Sequence, residues 1–321
     1  MDFLANYFGS LNPMSFLSAL PGNIAQGIIW GLMGLGVFLT FKLLNFADLS
    51  VDGSFATGGA VTAVMLINGC PVWGTIIVAI LAGLAAGLVT GLLHTLLGIP
   101  DILAGILTQI ALYSINLNIM GKSNLPISYR NYTLVISASN INMAILVGLG
   151  ICAVVIAAMY WYFGTEQGST IRSTGSNPAM SKAQGININF TKVIALALSN
   201  GLVALSGSLF AQYQGFADIN MGRGAIVIGL AAVIIGEVLG EAIFRKHMNF
   251  IIRMLFVIVG GILYYIAMGI VLWLKMPTDD TKLFTAIIVA IFLAVPYLQK
   301  KRKTSFKKVA KMNAKNAQKE G

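Results

Sequence analysis

Residues Arg172–Gly185 read RSTGSNPAMSKAQG and form the longest polar interruption between two long apolar runs. Asn177 is a favourable N-cap residue, and Pro178 follows at the first helical position, where no amide hydrogen is needed. Gly185 tolerates the left-handed conformation in which helices often end. The stretch predicts a short helix over Pro178–Gln184, about 10 Å long, which cannot cross a bilayer but could dock on another protein. An ordinary capped loop is the alternative.

Composition places the chain in a membrane. Of the 321 residues, 57% are hydrophobic and only 10% are charged, whereas about 25% of residues are charged in soluble domains. A helix needs about 20 apolar residues to cross the hydrocarbon core, so we expect an all-α polytopic membrane protein with about nine transmembrane helices. The predicted spans are Asn23–Leu44, Ser54–Asn68, Val72–Leu97, Ile102–Met120, Ile141–Phe163, Thr191–Tyr213, Gly224–Phe244, Phe250–Leu274 and Lys282–Leu298.

Lysine and arginine residues orient these spans. The tail Lys300–Gly321 contains nine of them, and a basic segment beside a membrane span more often faces the cytoplasm and anionic headgroups than nucleic acid. With an odd number of spans, the N-terminus then lies outside, and the loop Arg245–His247 lies inside. The predicted organisation is an extracytoplasmic or interfacial segment 1–22, a transmembrane domain 23–298 whose halves 23–163 and 191–298 are joined by a cytoplasmic loop 164–190, and a basic cytoplasmic tail 299–321.

One segment near the N-terminus recurs in the second half. Phe46–Leu49, FADL, returns 170 residues later as Phe216–Ile219, FADI. The same offset, without gaps, gives ten identities over the 38 positions of Asn23–Ala60, where about four or five are expected by chance in so apolar a composition. Five predicted spans separate the copies, so the copies must cross the membrane in opposite directions. This pattern is typical of an inverted repeat, in which binding sites tend to lie near the midplane.

Three aspartates accompany the two copies of this repeat, Asp48 and Asp52 in the first and Asp218 in the second. Acids at membrane depth are costly and usually face a partner or a water-filled path. The alternative is that both FAD segments sit at span ends, where Asp48 or Asp218 accepts amide hydrogens at a helix start.

Residues that could support catalysis are not grouped in the sequence. Gly121–Ser123 is similar to the end of a phosphate-binding loop, but the position five residues earlier is Asn116 instead of glycine. Neither histidine has a Cys or carboxylate at metal-ligand spacing, and the two cysteines lie far apart. No set of nucleophile, base and orienting group is visible. We therefore expect no enzyme, no nucleotide site and no resident metal or cofactor in this chain.

Glu237 and Glu241 stand four residues apart on one helical face, near a predicted cytoplasmic span end. Two interpretations remain open for them. They could form a proton relay within the membrane, or they could snorkel to the surface and pair with Arg245.

Two motifs resemble those of a known family. Leu44–Gly59, LNFADLSVDGSFATGG, looks like the segment that opens the second core span of permease subunits in bacterial ABC importers of the branched-chain amino acid and ribose class. Thr174–Asn187, TGSNPAMSKAQGIN, looks like their cytoplasmic coupling loop. The resemblance covers roughly Ile24–Leu298 and is greatest for the subgroup that works beside lipoprotein binding proteins for aromatic amino acids.

The resemblance implies a multi-pass permease in the bacterial cytoplasmic membrane, in contact with lipid and with a second permease copy as a homodimer or heterodimer. Its implied partners are a cytoplasmic ABC ATPase, which would hold ATP and Mg, and an extracytoplasmic substrate-binding lipoprotein. The implied ATPase-coupling residues are Ser176, Asn177, Pro178, Ala179, Met180, Ser181, Lys182, Ala183, Gln184 and Gly185. The implied translocation path is lined by Asn45, Asp48, Ser50 and Asp52 in one repeat and by Asp218 and Asn220 in the other.

The substrate is less closely defined than the transport class. The resemblance implies a small solute, with tryptophan or tyrosine first and branched-chain amino acids, nucleosides and sugars still open. An ion- or proton-coupled secondary transporter is the alternative, because inverted repeats and intramembrane acids are equally typical of that class.

Overall fold

The computed structural model describes residues 13–129, 132–244, 248–274, 283–292 and 294. The predicted tail 299–321, the loop Arg245–His247 and the first twelve residues of the segment 1–22 lie outside the described residues. The described chain is mainly helical. Its elements are α1 (Pro13–Val37), α2 (Val51–Ile67), α3 (Val72–Thr95), α4 (Asp101–Met120), β1 (Asn124–Pro126), α5 (Ile141–Phe163), α6 (Glu166–Ser176), α7 (Pro178–Ala183), α8 (Ile188–Gln214), β2 (Phe216–Asp218), α9 (Ala225–Phe244), α10 (Phe250–Trp273) and α11 (Leu283–Phe292).

Seven of these helices are long and apolar enough to cross a membrane, namely α1, α3, α4, α5, α8, α9 and α10. The predicted spans Ser54–Asn68 and Lys282–Leu298 correspond to α2 and α11, which are shorter. The described chain therefore supports a multi-pass membrane protein with seven full-length spans, while the predicted number of nine is not confirmed.

The first helix differs from the predicted span Asn23–Leu44. It begins at Pro13, and the π-helix Phe38–Leu43 continues it. The proline at the start is tolerated because the first helical turn leaves its amide hydrogens unpaired. Together with α8, α1 is one of the two most buried spans. Trp30 on α1 stacks on Phe55 of α2 with ring centroids 4.7 Å apart.

Helices α1 and α8 cross antiparallel at the centre of the protein. Ser199 Oγ donates to the carbonyl of Gly36 at 2.8 Å, and Ser206 Oγ donates to the carbonyl of Ile29 at 2.6 Å. Under the 170-residue offset, position 29 corresponds to 199 and position 36 corresponds to 206. The residue pair 29 and 206 is therefore equivalent to the pair 199 and 36, so the two bonds are counterparts of each other. The offset found in the sequence is therefore also an approximate two-fold relation between the two central helices.

Small residues let each central helix approach a neighbour closely. A Cβ atom built on Gly87 of α3 would collide with the backbone of Leu196 on α8, and one on Gly27 of α1 would collide with the backbone of Ile262 on α10. Such contacts replace the hydrophobic effect as the source of helix association in lipid. Helix α3 thus packs on α8 much as α10 packs on α1.

The structure corrects the all-α prediction with one small sheet. Strands β1 and β2 pair antiparallel, with Asn124 opposite Asp218 and Leu125 opposite Ala217. The second FAD segment is therefore a strand, because its backbone groups bond to the connection between the predicted spans Ile102–Met120 and Ile141–Phe163. Burial of Leu125 and Ile127 between exposed neighbours is the alternating pattern that could have revealed the strand.

The described chain has two distinct ends. At the end with the sheet, Tyr213 Oη donates to the carbonyl of Gly22 at 3.4 Å. At the opposite end, which we call the α7 end, Glu237 lies between Lys42 at 2.8 Å and Arg253 at 3.3 Å.

Candidate functional site

Helix α7 has the local structure that the sequence predicts. Asn177 Oδ1 accepts a hydrogen bond from the Met180 amide at 3.1 Å, and Pro178 opens the helix. At the other end, Gly185 has φ +83°, the left-handed value expected of a helix-ending glycine. The helix ends at Ala183, one residue before the predicted end. The short capped helix is therefore confirmed as structure.

This helix protrudes from the protein. Its side chains are exposed with the exception of Ser181, which is 2% exposed and donates from Oγ to the carbonyl of Asn177 at 3.0 Å. Met180 is 60% exposed. The ten predicted coupling residues Ser176–Gly185 thus form one rigid projection with an apolar side chain at its surface, which is a suitable shape for insertion into a cleft of another protein.

Helix α6, which the sequence analysis did not predict, fixes α7 to the transmembrane helices. Thr165 caps α6, accepting from the Gly168 amide at 3.4 Å. Arg172 Nη2 donates to the carbonyl of Phe163 at 2.8 Å, and its guanidinium carbon lies 5.9 Å from the ring centroid of Phe250. The sequence signal that could have predicted α6 is Thr165 as its N-cap, followed by the acidic residue Glu166 in the first turn.

The last turn of α6 touches the chain that leads into the first FAD segment. The Cα of Gly175 lies so close to Leu43 and Leu44 that an added Cβ would overlap the carbonyl of Leu43. Leu43 ends the π-helix, and the connection 44–50 follows it. Helix α6 is therefore in direct contact with the residues that lead into the segment carrying Asp48.

Asp48 is the centre of a buried polar cluster. Only 2% of it is exposed, and its Oδ1 accepts from the Ser50 amide at 2.9 Å and from Ser50 Oγ at 2.5 Å. Its Oδ2 accepts from Asn200 Nδ2 at 2.8 Å. Asn200 lies on α8 and was missed, because a single amide within an apolar run has no distinctive sequence pattern. The cluster joins the first repeat to the second.

Asp52 joins the two repeats at a second place. It lies in the first turn of α2, which begins three residues before the predicted span Ser54–Asn68. Its carboxylate accepts from the backbone amides of Gly224 and Ile226, both at 2.9 Å, and so caps the start of α9. The backbone of Gly222, its equivalent under the 170-residue offset, packs directly against Asp52.

The two FAD aspartates share a local turn but not an environment. Asp218 Oδ1 accepts from the Asn220 amide at 2.7 Å, as Asp48 does from Ser50. Its other oxygen accepts from Asn124 at 3.3 Å, and Asp218 is only partly buried. Asp48 accepts the amide of Ser50, the residue that precedes α2, whereas Asp218 ends strand β2 and Asp52 caps the start of α9.

The predicted path residues do not form one continuous surface. Asp48 and Ser50 are buried together, while Asp52 lies in the first turn of α2. Asn220 is exposed near the sheet. Asn45 is also exposed and has φ 55°, a left-handed conformation that asparagine tolerates better than most residues.

A cavity of about 280 Å³ opens beside Asp52, between α2 and α4. It is lined by Asp52, Gly53, Ala56, Gln109, Ile110, Tyr113, Asn116, Ile219 and Arg223. Asn116 is 1% exposed, and neither atom of its amide group has a hydrogen-bond partner. Sequence reasoning missed the α4 residues, because they lie within an apolar span. This cavity can accept a small polar solute.

Glu237 takes part in ion pairs, while its neighbour Glu241 is exposed. The contacts of Glu237 with Lys42 and Arg253 neutralise it and tie the π-helix, α9 and α10 together. Its predicted partner Arg245 lies outside the described residues. Among the described residues, no group of three His, Cys, Asp or Glu side chains could hold a metal ion.

Comparison with known proteins gives consistent similarities. Residues 22–296 match the family described as branched-chain amino acid transport system / permease component. The chain is 41% identical over 301 residues to a tyrosine transport system permease protein of Clostridioides difficile strain R20291, covering 93% of this chain and 99% of that protein. It is 25% identical over 261 residues to the D-allose transport system permease protein AlsC of Escherichia coli K12, covering 80% and 77% of the two chains.

The fold also has a solved relative. The structure of PsaBC from Streptococcus pneumoniae in complex with Fab contains a chain that matches with a TM-score of 0.51 and 17% sequence identity. The match covers 91% of this chain and 94% of that one. At this identity the likeness concerns the arrangement of helices alone.

Proposed function

The chain belongs to the family of branched-chain amino acid transport system permease components, and we propose that it is the transmembrane subunit of an ATP-driven importer for an amino acid. Tyrosine is the first candidate substrate and tryptophan the second, supported by the 41% identity to a protein named as a tyrosine transport permease. Members of this family are transport subunits, so hydrolysis of ATP with Mg falls to a partner ATPase.

The observation that carries this proposal is the anchored projection of α6 and α7. A cytoplasmic ATPase that grips α7 would push or pull α6, and α6 contacts the chain at Leu43 through Gly175. The cluster of Asp48 with Asn200 lies just beyond that contact. A rigid helix with caps at both ends transmits displacement better than a flexible loop, and a transporter needs such differential contact to change state.

The orientation proposed with this function places the α7 end in the cytoplasm. Basic residues concentrate at the cytoplasmic side of membrane proteins. In the described part of the chain, Lys42, Arg172, Lys182, Lys192 and Arg253 lie toward the α7 end, and Lys122 and Arg223 lie toward the sheet. In this orientation the N-terminus is outside and the C-terminus inside, with α2 and α11 completing nine crossings. The sheet end then meets an extracytoplasmic binding lipoprotein.

We assign the solute path to the polar residues of α2, α4 and the repeat segments, completed by a second permease copy. Helix α4 supports this assignment, because most of its length is exposed and it carries polar residues such as Ser114 and Asn118 among apolar ones. An exposed, mixed face of this kind is unsuited to lipid alone.

Reconstitution tests the proposed function. The chain is inserted into proteoliposomes with its ATPase, the binding protein is added on the outside, and uptake of labelled L-tyrosine is measured. We expect uptake that requires ATP and the binding protein and survives a protonophore. Replacing Ala179–Lys182 with a Gly-Ser linker should abolish uptake and leave thermal unfolding of the spans unchanged. Uptake that persists without ATP and stops with the protonophore would support the secondary transporter instead.

A further inference from the structure

The cavity between α2 and α4 holds two opposite charges that do not pair. Asp52 and Arg223 both line it, yet neither takes part in an ion pair within the described chain. Asp52 accepts the amides of Gly224 and Ile226, but a carboxylate has about four acceptor positions and so retains free ones. The Arg223 side chain is exposed and keeps its donors.

A third polar group in the cavity is also unsatisfied. Asn116 is buried, and both its amide nitrogen and its amide oxygen lack partners. Buried polar groups are almost always hydrogen-bonded, since leaving them unpaired is costly. The position of Asn116 in the cavity wall means that an occupant could supply both a donor and an acceptor to it.

The remaining wall limits the size and chemistry of that occupant. Tyr113 and Ile110 on α4 contribute an aromatic and an aliphatic surface. The volume of about 280 Å³ is at the lower edge of the ~300–1,000 Å³ typical of small-molecule sites. One solute of amino-acid size fits, with charged and apolar parts.

We propose that this cavity recognises the zwitterionic backbone of an α-amino acid. The ammonium group binds Asp52, the carboxylate binds Arg223, and the Asn116 amide adds hydrogen bonds. Selectivity for amino acids over neutral sugars then resides partly in this chain and not only in a binding protein, because a sugar would leave both charges without a counter-charge. This assignment rests on the proposed import function. The affinity must be weak, since tight binding would prevent release into the cytoplasm.

Binding to the isolated chain tests this site. The purified full-length protein in lipid nanodiscs, without ATPase or binding protein, is titrated with labelled L-tyrosine. Competition is measured with tyramine, which lacks the carboxylate, with 3-(4-hydroxyphenyl)propionate, which lacks the ammonium group, and with D-allose. We expect weak but saturable binding of L-tyrosine, with each single-charge analogue weaker by about ten- to a hundredfold, the effect of one charge-assisted hydrogen bond.

Variants connect this result to the cavity. Arg223→Gln should weaken L-tyrosine by about tenfold or more and make it no better a ligand than tyramine. Asn116→Leu should weaken L-tyrosine and both analogues together. Lys122→Gln, which removes an exposed charge at the same end outside the cavity, is the matched control and should change nothing.

Three outcomes would overturn the site. They are absence of saturable L-tyrosine binding, equal competition by tyramine or D-allose, and an unchanged affinity in Arg223→Gln. The competition series uses the unsubstituted protein, so it tests the proposed site even if a substitution prevents folding. ATP-driven uptake by the complete system, measured separately, would then show that the import function stands while the site fails. Loss of that uptake would reject the import function itself.

Discussion

The hydroxyl of Ser206 donates a 2.6 Å hydrogen bond to the backbone carbonyl of Ile29, which links the two central helices α8 and α1. Its counterpart under the 170-residue offset is the bond from Ser199 to Gly36 at 2.8 Å. The two bonds bracket the point where the helices cross. The approximate two-fold axis therefore passes through this crossing. A serine hydrogen bond lies on each side of it, and both serines belong to the second repeat.

Removing these two serines should destabilise the protein by similar amounts. Ser199→Ala and Ser206→Ala each delete one buried hydrogen bond, for which we expect a loss of about 0.5–1.5 kcal/mol in the free energy of unfolding. Thermal unfolding in detergent measures the change. Ser128→Ala, an exposed position in the loop after β1, serves as the control and should unfold like the parent. A large effect of one serine and none of the other would show that the crossing is not symmetric in energy.

The sequence predicted the features that depend on local chemistry or on long apolar runs. Helix α7 followed from the cap at Asn177 and the stop at Gly185, and α5 was predicted at its observed bounds Ile141–Phe163. The antiparallel relation of the two repeats followed from the number of spans between them. Each of these signals is contained within a short segment or repeats along the chain.

The features that the sequence did not reveal depend on contacts between distant segments. Asn200 and Asn116 are single amides in apolar spans, and only packing shows that one bonds Asp48 while the other faces a cavity. Asp52 lies in a polar stretch of sequence that is typical of a loop. Its hydrogen-bond partners, however, are backbone amides 172 and 174 positions away. Equivalent positions in the two repeats therefore do not have equivalent surroundings. Asp48 is buried, whereas its counterpart Asp218 is only partly buried.

A methyl group at Gly175 should uncouple ATP hydrolysis from transport. Gly175→Ala places its Cβ on the Leu43 carbonyl, so α6 must shift away from the connection to Asp48, and such overpacking costs about 1–3 kcal/mol. In proteoliposomes containing the ATPase, we expect uptake per ATP hydrolysed to fall by about tenfold or more. Gly150→Ala on α5 is the matched control, because nothing lies within 4 Å of its added Cβ. An unchanged ratio of uptake to ATP hydrolysis in Gly175→Ala would show that the contact with Leu43 is not needed for coupling.

The N-cap of α7 should matter through its oxygen. Asn177→Ala removes the acceptor of the Met180 amide and weakens the short helix by about 1 kcal/mol, whereas Asn177→Ser or Asn177→Asp retains a capping oxygen. We expect the alanine variant to bind the ATPase more weakly and to transport more slowly, and the serine and aspartate variants to recover both activities. Pull-down of the ATPase with the purified chain and uptake in proteoliposomes are the measurements. Failure of serine and aspartate to rescue would mean that asparagine itself contacts the partner.

The two FAD aspartates should differ in their effect on stability, although the sequence repeat makes them equivalent. Asp48→Ala removes the acceptor of the buried Ser50 amide and one of two acceptors of the Asn200 amide group, which costs about 1–3 kcal/mol. Asp218→Ala exposes its partly buried partners to water, and we expect a loss below about 1 kcal/mol. Thermal unfolding of the two single variants compares them directly. Equal losses would contradict the difference in burial.

A double-mutant cycle between Asp48 and Asn200 should show whether the cluster acts as one unit. Asp48→Ala leaves one N–H of the Asn200 amide group without its Asp48 acceptor, and Asn200→Ala removes that N–H, so the double variant should cost less than the sum of the single losses. For residues in direct contact we expect a coupling of about 0.5–3 kcal/mol. The pair Asp218 and Asn200, which share no hydrogen bond among those of the described chain, should be additive within about 0.5 kcal/mol. Additive losses in the cycle of Asp48 and Asn200 would mean that the 2.8 Å hydrogen bond between the repeats contributes no stability. The proposed transmission of movement from α6 through Asp48 to α8 would then have no supporting contact.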